Sequence, residues 1–178
     1  MPKYIALLRG INVSGVKIIK MEDLRVYFSG MGFRDVKTYI QSGNVVFDAN
    51  NQTLAALTKK ITKGLEEALG YHVPVVIIST ETMQEIQAVD IFTNVLKSIP
   101  TAKKYVAFLE RPLTKDEITY LHSLTNEVDV YYSTGNEIYI TIDETKGKSL
   151  YTNMLLEKKL KIYATTRNWN TVCKLASM

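Results

Sequence analysis

Residues 9–17, Arg-Gly-Ile-Asn-Val-Ser-Gly-Val-Lys, combine the residue types that bind oxyanions. Glycines allow positive φ and let successive backbone N–H groups point at one anion, while cationic and polar side chains add further donors. The glycines are spaced as in a Walker A loop, but Val16 stands where the lysine belongs and Ile18 has no hydroxyl for Mg²⁺. Either the segment binds a phosphate-like group, or it is a long connection whose glycines only make turns. Its candidate binding residues are Arg9, Gly10, Asn12, Ser14, Gly15 and Lys17.

A second polar segment is the predicted turn at residues 42–44, Ser-Gly-Asn, between two runs rich in β-formers. Ser42 and Asn44 join the candidate binding residues because the topology derived below places them beside the loop. Hairpin geometry alone also explains such a turn.

A third polar segment is residues 165–171, Thr-Thr-Arg-Asn-Trp-Asn-Thr. Arg167 and Asn168 lie at the predicted start of a C-terminal helix, where backbone N–H groups would add to the attraction for an anion. The competing interpretation is that Trp169 docks this helix on the core while an asparagine caps it.

Other catalytic arrangements have no support in the sequence. His72 and His122 lack a neighbouring acid or cysteine pattern, so we predict neither a metal site nor a catalytic triad. Cys173 has no basic neighbour beyond Lys174 and fits a small buried residue better than a nucleophile. The sequence identifies no cofactor and no catalytic residue.

Hydrophobic periodicity predicts the elements that position these residues. Residues 4–8 are an apolar strand, residues 21–31 have helical spacing, and the Gly-Asn pair predicts a tight hairpin. A helix over 54–69 and a buried strand over 73–78 complete the order β-α-β-β-α-β.

The second half of the chain repeats this order. Its first strand, Tyr-Val-Ala-Phe-Leu at 105–109, resembles Tyr-Ile-Ala-Leu-Leu at 4–8, which lies 101 positions earlier. The turns Ser-Gly-Asn at 42–44 and Thr-Gly-Asn at 134–136 are 92 positions apart. The difference indicates extra chain in the first half, which we place in the loop 10–20.

Later elements are a capping box at Thr114–Glu117, a helix over 150–160, a strand over 162–165 and a terminal helix over 168–176. We therefore predict an α+β fold of two tandem ferredoxin-like lobes, each a βαββαβ plait, related by internal duplication and followed by a C-terminal helix.

The two lobes are expected at residues 1–98, with the inserted loop 10–20, and at residues 102–178. The boundary follows from Ser-Ile-Pro-Thr at 98–101, which interrupts the helical pattern of residues 80–97. Right-handed crossovers give each sheet the strand order 4-1-3-2. This order brings the loop after the first strand and the first hairpin to one edge of the sheet.

Composition limits the class of protein. The chain has 178 residues, 46% of them hydrophobic and 22% charged, as in ordinary globular proteins. Its single cysteine excludes an intrachain disulfide, and no apolar run is long enough for a membrane span or a signal peptide. We expect a cytoplasmic protein.

The net charge of +4 is unevenly distributed. Residues 1–20 carry +4 and residues 145–178 carry +6, so residues 21–144 carry −6. Basic ends are typical of surfaces that receive phosphate esters or nucleic acid, although solvated lysines on helix faces give the same pattern.

Three motifs resemble the bacterial domain-of-unknown-function family 1697. They are Tyr-Ile-Ala-Leu-Leu-Arg-Gly-Ile-Asn-Val at 4–13, Tyr-Ile-Gln-Ser-Gly-Asn-Val-Val-Phe at 39–47 and Thr-Arg-Asn-Trp-Asn-Thr-Val at 166–172. The family pattern has Gly-Gly after the Asn-Val, where this chain has Ser14-Gly15. The resemblance implies a pair of ferredoxin-like lobes and no defined activity.

Two hypotheses of different class follow. The first is a module that binds a phosphate-bearing small molecule or a nucleic-acid backbone at the 9–17 loop, with the 42–44 turn and Arg167 contributing, and that does not bind membranes. The alternative is an enzyme acting on a small phosphorylated substrate, with Ser42 or Tyr39 in a chemical role. The sequence does not choose between them, and it leaves the oligomeric state open.

Overall fold

The computed structural model describes residues 1–13 and 15–178; the candidate donor Ser14 lies outside the described residues. Two compact units are present, one of residues 1–84 and 175–178 and the other of residues 85–174. The strands are β1 Lys3–Leu8, β2 Arg34–Tyr39, β3 Asn44–Asp48, β4 Val75–Ser79, β5 Lys103–Leu109, β6 Asp129–Thr134, β7 Glu137–Ile142 and β8 Ala164–Asn168. The helices are α1 Met21–Gly30, α2 Leu54–Leu69, α3 Thr80–Val89, α4 Ile91–Asn94, α5 Lys115–Ser123, α6 Asn153–Leu160 and α7 Trp169–Ala176.

The protein is thus a mixed α+β protein with two four-stranded antiparallel sheets, one in each unit. The sheet of the first unit has the order β2-β3-β1-β4, which is the strand order expected from the sequence. β1 is central, with Leu7 paired to Asn44 on one side and Leu8 paired to Val75 on the other. The end of β1 therefore lies between the hairpin turn and the start of β4.

Helix α2 shows why this unit has a stable core. Thr53 caps its N-terminus by accepting a hydrogen bond from the amide of Ala56, and Gly70 ends it in the left-handed conformation with φ +76°. Leu57, Ile61 and Leu65 lie one helical turn apart and are fully buried. Burying each such side chain stabilises the fold by about 1.5–3 kcal/mol.

The sheet of the second unit has the order β6-β7-β5-β8. The predicted capping box that opens α5 is confirmed, because Thr114 accepts from the amide of Glu117 while the carboxylate of Glu117 accepts from the amide of Thr114. Arg111 adds two hydrogen bonds of 2.9 and 2.8 Å to the Glu117 carboxylate, which lowers its pKa to about 2.

At the end of the second unit, helix α6 and strand β8 begin and end at other residues than predicted. Helix α6 begins later than predicted because Thr152, rather than Ser149, is its cap; the Ser149 hydroxyl donates instead to Asp129. The closing strand β8 extends to Asn168, so Arg167 lies in a strand and not at the start of the terminal helix.

The connection between the two sheets also differs in detail. The predicted helix over 80–97 is divided into α3 and α4, because Asp90 adopts φ +41° and accepts a hydrogen bond from the amide of Thr93. Residues 85–98, placed by sequence in the first lobe, belong to the second compact unit.

Candidate functional site

The loop between β1 and α1, residues 9–20, contains hydrogen bonds of its own. The amide of Asn12 donates to the carbonyl of Lys17 at 3.2 Å, and the amide of Val16 donates to the carbonyl of Val13 at 3.0 Å. Asn12 and Lys17 have φ of 54° and 50°, and Gly10 has φ 71°. These contacts make the loop a small hairpin instead of an open connection.

The side chain of Asn12 attaches this loop to the first β-hairpin. Its Oδ1 accepts from the amide of Ile19 at 2.7 Å, and its Nδ2 donates to the carbonyl of Ile19 at 3.0 Å and to that of Gln41 at 2.8 Å. Both Nδ2 protons are therefore engaged within the protein. Asn12 positions the loop, and its amide is not a donor for an anion in this structure.

Gly43 makes the close approach of the two segments possible. Its carbonyl accepts from the amide of Leu8 at 2.8 Å. A Cβ at this position would lie 2.8 Å from Leu8 Cβ and 2.8 Å from Ile11 Cδ1, and Gly43 has φ +79°. The loop and the hairpin turn therefore lie together at one end of the sheet, as the strand order implies.

Asn44 and Ser42 complete the turn. Asn44 is fully buried, and its Nδ2 donates to the carbonyl of Tyr39 at 2.9 Å and to the Ser42 hydroxyl at 3.0 Å. Asn44 is the first residue of β3, so the turn itself is residues 40–43, which begins two positions and ends one position before the turn indicated by the sequence. Ser42 is exposed and belongs to the surface beside the loop.

Three backbone amides of the loop donate within the protein. The amide of Arg9 donates to the carbonyl of Pro74 at 2.9 Å, that of Asn12 to the carbonyl of Lys17 at 3.2 Å and that of Val16 to the carbonyl of Val13 at 3.0 Å. These three amides pair the end of β1 and close the loop, so they do not also bind an anion in this conformation.

The cations of the loop differ in how firmly they are held. Lys17 is exposed, yet its Nζ lies 4.9 Å from the centroid of the Tyr71 ring and 3.4 Å from the carbonyl oxygen of His72. Arg9 is half-buried, and Lys20 is exposed immediately before α1. The ammonium of Lys17 is therefore placed by an aromatic ring while remaining accessible to solvent.

The loop that carries Lys17 also carries three exposed aliphatic side chains, a feature that the sequence analysis missed. Val13, Val16 and Ile18 expose 59%, 62% and 73% of their surface. The signal in the sequence was three β-branched residues within six positions, in a glycine-containing segment with no helical or strand period. A tip of this kind is typical of an interaction surface, because single exposed aliphatics are common whereas clusters are not.

Arg167 and Asn168 belong to the second unit, and Asn168 has the capping role that the competing interpretation of this segment gives to an asparagine. Arg167 is buried in β8, where its Nη1 donates to the Thr165 hydroxyl at 2.8 Å and to the Thr166 carbonyl at 2.9 Å; burial lowers its pKa to about 10. Asn168 is exposed, and its Oδ1 accepts from the amide of Thr171 at 2.8 Å, which caps α7.

One carboxyl group outside the loop, that of Glu137, has a raised pKa. Glu137, at the start of β7, is half-buried, and burial raises its pKa to about 7, opposed by a backbone hydrogen bond from Asn136. Sequence reasoning missed this group because no residue within five positions of Glu137 is charged. Within residues 1–13 and 15–178, no group of three metal-binding side chains is present, and no helix is long and apolar enough to cross a membrane.

Comparisons with known proteins place the chain in a family. A search of the curated proteins finds no match. Among solved structures, the conserved bacterial protein SP0830 from Streptococcus pneumoniae is similar: it has 26% sequence identity and a TM-score of 0.79, over 99% of this chain and 97% of that chain.

The model of the family described as "Protein of unknown function (DUF1697)" matches residues 1–139. That range includes the loop after β1 and the hairpin turn at 40–43, two of the three motifs on which the resemblance rests. Because the match extends over more than half of the sequence, the chain belongs to the DUF1697 family.

Proposed function

We propose that the protein binds a phosphate-bearing ligand through the loop 9–20, and that a nucleic-acid backbone suits this surface better than a free nucleotide. The observation that carries the proposal is the combination of exposed Val13, Val16 and Ile18 with the exposed ammonium groups of Lys17 and Lys20 on a loop held in place by internal hydrogen bonds. Ligand binding at this loop is our inference from these contacts.

Rigidity supports a binding role for the loop. Asn12 and Gly43 hold the base of the loop against the hairpin turn, which lowers the conformational entropy that ligand binding costs there. The three exposed aliphatic side chains do not stabilise the fold, since their apolar surface remains in water. Contact with a ligand would remove that surface from water and so contribute to the free energy of binding.

The shape of the loop favours an extended ligand. Small molecules bind in concave sites that bury most of their surface. Here the tip side chains are more than half exposed, which describes a projection and not a cavity. A polynucleotide presents phosphates to lysines and sugar or base surfaces to aliphatic side chains at the same time, and apolar wedges beside cations are used in this way by proteins that bind nucleic acids.

The test is binding of a fluorescent single-stranded oligonucleotide to the whole chain as salt is varied. Lys17→Ala is expected to weaken binding several-fold and to reduce the slope of log K against log salt by about 0.7, the value for one lost phosphate contact. The matched control is Lys59→Ala, which removes an exposed lysine from α2 of the same unit. Equal affinities and slopes for the two variants, or binding that salt does not affect, would refute the proposal.

The hydrogen bond between Ser42 and Asn44 is not the kind that an enzyme acting through Ser42 needs. The Ser42 hydroxyl accepts from the side-chain Nδ2 of Asn44, and an amide is not a base that could activate a nucleophile. The exposed cations of the loop lead us to favour binding over catalysis.

We also propose that each unit is a ferredoxin-like plait and that the two arose by duplication. Equivalent hydrogen bonds support this: Leu8 N to Gly43 O and Leu109 N to Asn136 O, both at 2.8 Å. Pairing places Asn44 opposite Leu7 and Glu137 opposite Phe108, so the two hairpins correspond at an offset of 93 residues, whereas the best match of residue types is at an offset of 92.

The single cysteine supports a reducing, cytoplasmic location for this protein.

A further inference from the structure

A cavity of about 360 Å³ lies in the second unit, where β5 begins and β8 passes into α7. The residues that matter for its chemistry are Lys103, Lys104, Tyr105, Asn168, Trp169 and Asn170. Lys103, Lys104 and Tyr105 belong to β5, Asn168 ends β8, and Trp169 and Asn170 begin α7. The two strands pair through Tyr105 and Asn168. The cavity has the volume of sites that hold small organic ligands.

The charge of this cavity selects an anion. Lys103 and Lys104 both line it. Lys103 donates to Glu144 at 2.7 Å, so the carboxylate of Glu144 offsets its charge, and this hydrogen bond raises the pKa of Lys103. The Nζ of Lys104 lies 6.0 Å from the centroid of the Phe92 ring, and Lys104 has no ion pair among the described residues. The uncompensated positive charge of the cavity therefore comes from Lys104.

The aromatic residues of the cavity add a surface for a planar group. Trp169 is half-buried, and Phe92 contacts it edge to face with ring centroids 5.1 Å apart, which fixes the orientation of the indole. The Tyr105 ring packs at a tilt of 34° on the Tyr151 ring, with centroids 6.2 Å apart. An aromatic side chain with a fixed orientation stacks on a nucleobase at little entropic cost.

Two asparagine amides complete the set of polar groups. Asn168 uses Oδ1 to cap α7, which leaves its Nδ2 directed away from the helix amides. Asn170 is exposed, and its side chain makes no hydrogen bond within the described residues. Amides can donate to phosphate and can both donate to and accept from the edge of a base.

From this combination we propose that the cavity binds a mononucleotide, with its phosphate at Lys104 and its base against Trp169. The site is independent of the loop 9–20 and would exist whether or not that loop binds nucleic acid. Lys104 lies beside Phe92, which contacts Trp169, whereas Lys103 is on the opposite face of β5 and pairs with Glu144. The ammonium of Lys104 recognises the phosphate, the indole recognises a planar ring, and the asparagines recognise polar edges.

The test uses the fluorescence of Trp169, the single tryptophan of the chain. AMP is titrated into the full protein, with excitation at the red edge of indole absorption, where adenine does not absorb. We expect saturable quenching, weaker binding of adenosine, and competition by UMP. Lys104→Ala should weaken AMP binding roughly tenfold, the effect of losing one charge-assisted hydrogen bond.

The control is Lys115→Ala, which removes an exposed lysine from α5 of the same unit and should leave AMP binding unchanged. Asn170→Ala, at an exposed position, is a second variant in case Lys104→Ala fails to fold. It should bind AMP more weakly than Lys115→Ala does. Quenching that does not saturate, equal binding of adenosine and AMP, or equal affinity in Lys104→Ala and Lys115→Ala would overturn the proposal. Lys17→Ala should not change AMP binding, which separates this result from the fate of the loop proposal.

Discussion

At the scale of single residues, Asn12 and Asn44 use their side-chain amides to hold the loop and the hairpin turn in place. Both Nδ2 protons of each amide are donated to groups of the protein itself. The partners of Asn12 lie 7 and 29 positions away along the chain, and those of Asn44 lie 5 and 2 positions away. Whether an amide is available to a ligand therefore depends on the local turn as well as on contacts between distant segments.

Glu137 gives a prediction at the same scale. Its pKa of about 7 exceeds its unfolded value near 4.5, mainly because burial disfavours the charged carboxylate. The native state therefore holds a proton that the unfolded state releases, and the resulting stability is present below pH 4.5 and is lost as pH rises to about 7. We expect a loss of about 1–3 kcal/mol over this window.

The measurement is urea unfolding of the second unit at several pH values, followed by Trp169 fluorescence. Glu137→Gln stays neutral, so its stability should change less between pH 4.5 and 7 than that of the natural protein and should exceed it at pH 8. Parallel pH profiles for the two proteins would show that the Glu137 carboxyl titrates normally.

At the scale of elements, alternation and helical spacing predicted most strands and helices, because each has one face in a core. The strand order followed from chain connectivity and the handedness of crossovers. Boundaries failed where a local contact decided them: Asp90 divides α3 from α4, and Thr152 opens α6. Each of these contacts consists of only one or two hydrogen bonds. Near α6, both Ser149 and Thr152 have side chains that can cap a helix, so the sequence alone does not select the capping residue.

The packing of the loop on the hairpin turn gives a prediction for glycine substitutions. Gly43→Ala places a Cβ 2.8 Å from Leu8 Cβ in a residue with φ +79°, so both crowding and backbone strain apply. We expect it to destabilise the first unit by roughly 2–4 kcal/mol.

Gly10→Ala is the matched control, because Gly10 has a similar φ of +71° but nothing within 4 Å of the added Cβ. It should cost only about 1 kcal/mol, which is the backbone term alone. Both values can be read from urea midpoints. A Gly43→Ala variant no less stable than Gly10→Ala would mean that the two segments do not approach as closely as described.

At the scale of the whole molecule, each unit has its own hydrophobic core, and the uneven charge along the chain was visible in the sequence. Charge alone could not locate a site, because Lys17 and Lys104 look like many other lysines. What distinguishes them is their surroundings: an exposed aliphatic tip around Lys17, and a cavity with a fixed indole beside Lys104. Both depend on residues brought together by folding.

The most direct test of the central claim, that the loop 9–20 binds nucleic acid, is to follow backbone amide resonances by NMR while a single-stranded oligonucleotide is added to the protein. The account predicts that the largest shift changes occur at Gly10, Gly15, Val16 and Lys17 and in the turn at residues 40–43, and that they diminish as salt is raised. Changes confined to other parts of the chain, or no saturable change at low salt, would contradict it.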